Sequence, residues 1–451
     1  MDRHRSSDPH LPAGRLRARR LLTGRLLARR GAAVAGATVL AGSTVLVGTG
    51  VAGASPAGGW GWTAFANWEQ AAPSNGQGGG GFDVDVLAAN PTVTVDGQQV
   101  ALSSPDDITQ LGGNIFVGWQ NGVGPQGQPA ADGTDFSTVT EYTPGGQLVN
   151  AWNLTGKADG LTADPFTGQV IATLNEDANS SLATIDPFAP AGDQVTTYAY
   201  NPPNPLPHGG GTDAISIYGP EILISASAPG TVPASATSPA TSPAVYQATL
   251  TQTPGASTGT AKLTPLFFDG STATVANLAQ PVPSSLSPSP ASWCPPAPAA
   301  CTVPPAGTST TLDLTDPDSS EVVPFTSPRF AGDFVLDSQG DEQQIYVAFP
   351  GTPFQQLSVL DLSQSIDDTA YITDPRGTLY ATDQANNDVV AIRGGFTPGE
   401  AVVSATPSGA NNAVNAPNYL ATLSLGSGTV TAIPALSAVQ SSGLLYLPGL
   451  R

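Results

Sequence analysis

Five times in this chain an aspartate opens a short apolar stretch, and a second apolar stretch follows roughly ten residues on. The openings are Asp107-Ile108-Thr109, Asp159-Gly160-Leu161, Asp213-Ala214-Ile215, Asp333-Phe334-Val335 and Asp368-Thr369-Ala370. Their followers are Ile115-Phe116-Val117, Val170-Ile171-Ala172, Ile222-Leu223-Ile224, Ile345-Tyr346-Val347 and Leu379-Tyr380-Ala381. Such a pair cannot bury its apolar residues alone, so recurrence at this period calls for stacked supersecondary units that share a core. Two more strand-like runs follow each pair, for example 139–142 with 148–152, and 182–185 with 195–198. Four strands per unit is the content of a propeller blade.

From Phe82 onward no segment carries a helical period, and the strand-like runs are bounded by Gly, Pro, Asn and Asp clusters. The expected fold is therefore all-β: a β-propeller of six or seven four-stranded blades over residues 82–451. The unit-to-unit spacings are 52, 54, 120 and 35 residues. The gap of 120 has room for two blades, with a degenerate one at 311–315 followed by 321–323. Pro/Ser/Thr/Ala tracts at 228–243 and 281–307, and the stretch 401–417, read as loop insertions. Pairing of the last strand with an N-terminal one would close the ring and remove its exposed edges. An irregular pair of β-sandwiches would also use strands at this spacing. The aspartate at a fixed place in each unit favours the propeller.

The N-terminus is of a different kind. Nine of the fifteen basic residues fall in residues 1–30, and no charged residue occurs from Gly31 to Trp68. An Arg-rich start, an apolar run and the small-residue site Ala52-Gly53-Ala54 predict an export signal over residues 1–54. Arg19-Arg20-Leu21-Leu22 and Arg29-Arg30 leave twin-arginine export open beside the general route, and the run is long enough to serve instead as an uncleaved anchor. Residues 55–81, with Trp60, Trp62 and Trp68 among glycines, read as a flexible lead-in.

Removal of residues 1–54 leaves six basic residues against 33 acidic ones, a net charge of −27. Such a surface repels nucleic acid and, once the signal is gone, anionic membranes. It also keeps an exported protein soluble and monomeric. The remaining chain has one histidine, His208, in the loop-like Pro207-His208-Gly209-Gly210. That excludes a multi-His metal site. Cys294 and Cys301 enclose a Pro/Ala-rich loop, and in an exported protein this spacing predicts one disulfide.

The stretch Asp159-Gly160-Leu161-Thr162-Ala163-Asp164-Pro165-Phe166-Thr167-Gly168-Gln169-Val170 resembles a blade of the NHL, YVTN and SMP-30 (gluconolactonase-like) propellers. Pro105-Asp106-Asp107-Ile108 and the stretch 374–383 resemble them too, and the likeness runs over roughly residues 100–395. In gluconolactonase-like members, acidic and amide side chains at the starts of inner strands hold a divalent metal. The resemblance thus implies a cation, calcium, on Asp107, Asp159, Asp213 and Asp333, with Asp368 at the matching place in the last unit. An acidic ligand ahead of the first blade is represented only by Glu69.

Other oxygen-rich clusters are Asn175-Glu176-Asp177-Ala178-Asn179, Asp313 with Asp316 and Asp318, and Asp337 with Asp341. None has the spacing of an EF-hand, and Asp and Asn in turns commonly bond their own backbone. The resulting expectation is a secreted or cell-envelope β-propeller that acts as a non-catalytic binding module. It would take a protein, a glycan or a small molecule on its channel face. The alternative is a metal-dependent hydrolase of the lactonase type.

Overall fold

The computed structural model describes residues 81–204, 206, 210–229, 242–282, 302–407 and 417–449. The expected export signal, all of the lead-in except Gly81, His208, and the pair Cys294 and Cys301 lie outside these residues. Among the described residues, no helix is long and apolar enough to cross a membrane.

The fold is an all-β propeller. Its strands fall into six groups of four, each beginning at the axis with one inner strand; the second and third groups are joined into one eight-stranded sheet by the parallel pairing of Val195–Asn201 with Thr258–Phe268, and two further strands extend the fourth. The inner strands are Pro105–Leu111, Ala158–Asp164, Thr212–Tyr218, Pro317–Val322, Ile366–Tyr371 and Ser441–Leu447. Each packs beside the next, and the sixth packs beside the first, so the ring closes. Six apolar clusters lie one between each pair of neighbouring groups. Phe116 and Trp152 meet Leu161 and Val170 between the first and second. Val335 and Tyr346 meet Tyr371 and Val403 between the fourth and fifth. Tyr380 and Val389 meet Ile115 and Trp119 between the sixth and first. Strands buried on both faces carry near-continuous apolar runs, as Ile115-Phe116-Val117 and Ile345-Tyr346-Val347 do.

Three connections differ from the expectation. The gap of 120 residues, from Asp213 to Asp333, holds the third group, Thr212–Phe268, and only the inner strand, Pro317–Val322, of the fourth, so it contains no additional blade. Of the stretch 311–315, read as part of a degenerate blade, only Thr311 is in a strand: Ser309–Thr311 pairs with Thr272–Val275 as an edge hairpin on the fourth group, and 321–322 end that group's inner strand. Asp333 precedes Phe334–Ser338, the second strand of the group, so it opens no inner strand. Finally, Leu379-Tyr380-Ala381 does not pair with the strand at Asp368. It pairs with Ser441–Leu447 and Asp388–Arg393 in the sixth group, while Ala401–Ala405 takes the place beside Ile366–Tyr371.

Ring closure follows from this interlacing. The sixth group has the C-terminal strand Ser441–Leu447 at the axis and the N-terminal strand Asp83–Ala89 at its rim. The two termini share a sheet without pairing directly, because the hairpin Thr378–Asp383 and Asp388–Arg393 lies between them. Asp85 and Arg393 add an ion pair of 2.6 Å across the rim strands.

Candidate functional site

Every inner strand has a β-bulge near its start. Pro105 and Ile108 face Trp119 and Val117, so the inner strand has one residue more than its partner. The same surplus occurs at Ala158/Leu161, Thr212/Ile215, Pro317/Ser319, Ile366/Thr369 and Ser441/Leu444. A bulge breaks the ladder and re-aims its residues. Repeated six times around an axis, it sets six equivalent residues at one level: Asp106, Asp159, Asp213, Asp318, Asp367 and Ser442. The residues after them are Asp107, Gly160, Ala214, Ser319, Asp368 and Gly443.

The sequence-predicted residues divide accordingly. Asp159 and Asp213 stand at the first bulge position and are buried. Asp107 and Asp368 stand one place later, and their carboxylates accept backbone N–H bonds from the next group, Leu161 and Leu444, each at 2.6 Å. Their equals to Asp159 are Asp106 and Asp367. Asp333 lies outside the belt. It sits beyond the pair Val322–Phe334, at the end of the hairpin away from Asp318, roughly 13 Å along a strand at 3.3 Å per residue. Asp318 holds the place expected of it. The repeat signal that finds the missed residues is the apolar residue two places on: aligning Ile108, Leu161 and Ile215 puts Asp106, not Asp107, in register.

Seven carboxyl groups, Asp106, Asp107, Asp159, Asp213, Asp318, Asp367 and Asp368, surround an axial cavity of about 20 Å³. That is room for one water or one ion. Two amides bridge neighbouring carboxylates in the same manner. Gln120 Nε2 donates to Asp106 Oδ2 (2.5 Å) and Asp159 Oδ1 (2.8 Å). Gln339 Nε2 donates to Asp318 Oδ2 and Asp367 Oδ1, both at 2.7 Å. Both glutamines follow a second strand, where the chain turns at the belt end of its group. Glu176, from the Asn175–Asn179 cluster, occupies the corresponding turn of the second group. With Asp159 and Asp213 it presents three carboxylate oxygens within 4.8 Å of one another. Lys157 Nζ lies 2.9 Å from Asp159 and 2.6 Å from Glu176. Asp159 Oδ2 is buried with no hydrogen-bond partner.

So many carboxyl groups out of water cannot all carry charge. Burial, then the charge of Asp159, pushes the Asp106 carboxyl well up. Burial raises Asp107 to about 7 against the opposing Leu161 N–H. Asp213 rises through burial, then Asp159 and Glu176. Asp318 rises through burial and Asp367, and Asp368 through burial and Asp107. Glu176 reaches about 8 through burial and Asp159, with Lys157 opposing. Burial works against the Lys157 ammonium, but Asp159, Glu176 and Asp106 together outweigh it and raise its pKa.

Asp337, Asp341 and Asn175, from the other oxygen-rich clusters, are bound within the fold. Asp337 accepts from Gln344, Ser319 and Thr369, and Asp341 from Thr315 and Ser338. Asn175 accepts the Lys157 N–H and donates to the Asn179 carbonyl.

On the other side of the belt the channel widens to a cavity of about 480 Å³. Asp107, Ser319 and Asp368 line both spaces and form its floor. Its walls include Ile108, Leu161, Ile215 and Leu444, and Pro165, Phe166 and Val322 stand at its mouth.

No family model matches the chain, and no curated protein sequence does. Solved structures do resemble it. One is the periplasmic gluconolactonase of Pseudomonas aeruginosa, at 11% identity and a TM-score of 0.41 over 81% of this chain and 98% of that one. A protein of unknown function from Bacteroides caccae is 7% identical, with a TM-score of 0.38 over 82% and 99%. A Trichoderma reesei carbohydrate-active enzyme of family AA12 is 13% identical, with a TM-score of 0.35 over 70% and 96%. Likenesses this distant add no functional argument.

Proposed function

We propose that this protein is an exported β-propeller that binds without catalysis, holding a divalent cation at its axial belt and a small ligand in the channel cavity beside it. The observation that carries the reading is Asp159 Oδ2, buried without a partner inside a belt of seven carboxyl groups around a space for one ion. Hard cations take six to eight oxygen ligands, and Asp159, Asp213 and Glu176 offer three of them within 4.8 Å of one another. Lys157 already offsets part of that charge, so an ion has to share Asp159 and Glu176 with it.

Binding is favoured over hydrolysis by the placement of these ligands. A metal that polarises a lactone carbonyl has to face the substrate. Asp159, Glu176 and Asp213 do not line the wide cavity, and the floor between is held by backbone bonds to Asp107 and Asp368. The test is thermal unfolding with calcium and with chelator. A ligand at a hundred times its Kd stabilises the native state by about 2.7 kcal/mol, and calcium should raise the melting temperature of the wild type by a few degrees. The double variant Asp159→Asn, Asp213→Asn should lose the gain. Melting indifferent to both reagents would remove the cation. Metal-dependent lactone hydrolysis that disappears in the same variant would replace the binding reading with the lactonase one.

A further inference from the structure

The channel cavity carries a chemical preference of its own. Its acidic groups differ in what they already hold. Asp107 and Asp368 accept backbone N–H groups, as described above. Glu321, on the inner strand Pro317–Val322, lines the cavity wall, and its Oε1 has no hydrogen-bond partner. The remaining lining is apolar side chains with the hydroxyls of Thr109, Thr162, Ser216, Ser319, Ser320 and Thr369, and no Lys, Arg or His stands among the described residues that line it.

The end of the propeller away from the belt carries exposed aromatic residues. Each group runs outward from the belt along its inner strand, so its first and third turns lie at the end away from the belt. Phe166 and Phe325 are in such first turns, and Phe188, Phe349 and Phe354 in such third turns. All five are at least 60% exposed. Of these five, Phe166 lines the cavity, where its exposed ring is available to a ligand.

We propose that the channel cavity is a binding site for an amphipathic organic cation, a protonated amine on an aromatic or alkyl body, with Glu321 as its counter-group. The inference rests on the channel-binding reading and names its ligand class. An ammonium donates three hydrogen bonds and accepts none, which suits a wall that offers a carboxyl group, hydroxyls and no competing cation. Charge-assisted bonds to a carboxylate are the stronger kind. The body of the ligand packs on Ile108, Leu161, Ile215 and Leu444 and leaves past Phe166 and Val322. An anion of the same shape would find no cationic side chain to pair with among the described lining residues.

The test is calorimetric titration of the full chain with three probes of one shape: phenylbutylamine, phenylbutanol and phenylbutyrate. The amine should bind about tenfold or more tightly than the alcohol, the difference expected of one hydrogen bond to a charged group, and the carboxylate should bind weakest. Glu321→Gln keeps the side-chain size and should remove the advantage of the amine while leaving the alcohol unchanged. Equal affinity for amine and alcohol, or an amine advantage that survives Glu321→Gln, would overturn the cation inference and leave the channel as a ligand site. Failure of all three probes to bind would overturn both.

Discussion

Asp106 and Asp107 are neighbours in sequence and serve different ends. Asp106 faces Gln120 within the belt, while Asp107 ties the first inner strand to the backbone of the second. In the belt, Asp106, Asp107, Asp213, Asp318 and Asp368, with Glu176 beside them, hold protons that an unfolded chain, with Asp at about 3.9 and Glu at about 4.3, releases. Between about pH 4 and pH 8 the native state therefore binds more protons than the unfolded state, and stability falls as pH rises. The groups responsible include Asp107, at about 7, and Glu176, at about 8. Lys157, whose pKa is raised, stays charged in both states over this window and contributes no slope. In chelator the melting temperature should be higher at pH 5 than at pH 8, and calcium affinity should rise across the same range, because the ion needs ionised ligands. A metal-free melting temperature that climbs from pH 5 to pH 8 would contradict the protonated belt. Lys157→Met should cost about 3 kcal/mol in chelator, at the low end for breaking a buried pair because Glu176 can take up a proton. Saturating calcium should recover part of that loss in denaturant unfolding.

At the scale of the element, the bulge fixes which residues each inner strand can use. Gly160 and Gly443 stand where the next group's backbone comes close. A Cβ there would lie 2.4 Å from the Asp213 carbonyl oxygen or 2.3 Å from that of Asp106. Thr173 and Thr382 complete the seam, each accepting from one of these glycines and donating to the same carbonyl of the next group. Gly443→Ala should therefore destabilise by about 1–3 kcal/mol, the range for overpacking. An alanine variant as stable as the wild type would show that the seam is looser than described. The bulge also explains what the sequence hides. The strand periodicity and the aspartate repeat reveal the propeller and bring Asp159 and Asp213 to the axis. A one-residue surplus leaves the apolar pattern intact while shifting which aspartate faces inward, so Asp106 and Asp367 are masked by Asp107 and Asp368. The fourth inner strand, Pro317–Val322, is mostly polar and half-buried, so its hydrophobic neighbour at Phe334 draws attention instead. Glu176, Gln120 and Gln339 come from turns, where no periodicity reports on position.

At the scale of the whole molecule, six apolar clusters between six groups make a closed ring, and the ring is sealed by strands from both ends of the described chain. Without Asp83–Ala89 the strand Asp388–Arg393 becomes a free edge, open to pairing with other chains. A chain starting at residue 92 should aggregate at concentrations where one starting at residue 81 stays monomeric by light scattering. Equal behaviour would mean that the rim strand does not seal the ring. Closure is also what confines the carboxyl groups of five inner strands to a space for a single ion. The most direct test of that claim is the anomalous difference map of crystals grown with Mn²⁺ in place of calcium. The account predicts one strong peak on the axis, in contact with Asp159 and Asp213. A map with no axial peak, or with peaks only at surface aspartates, would contradict it.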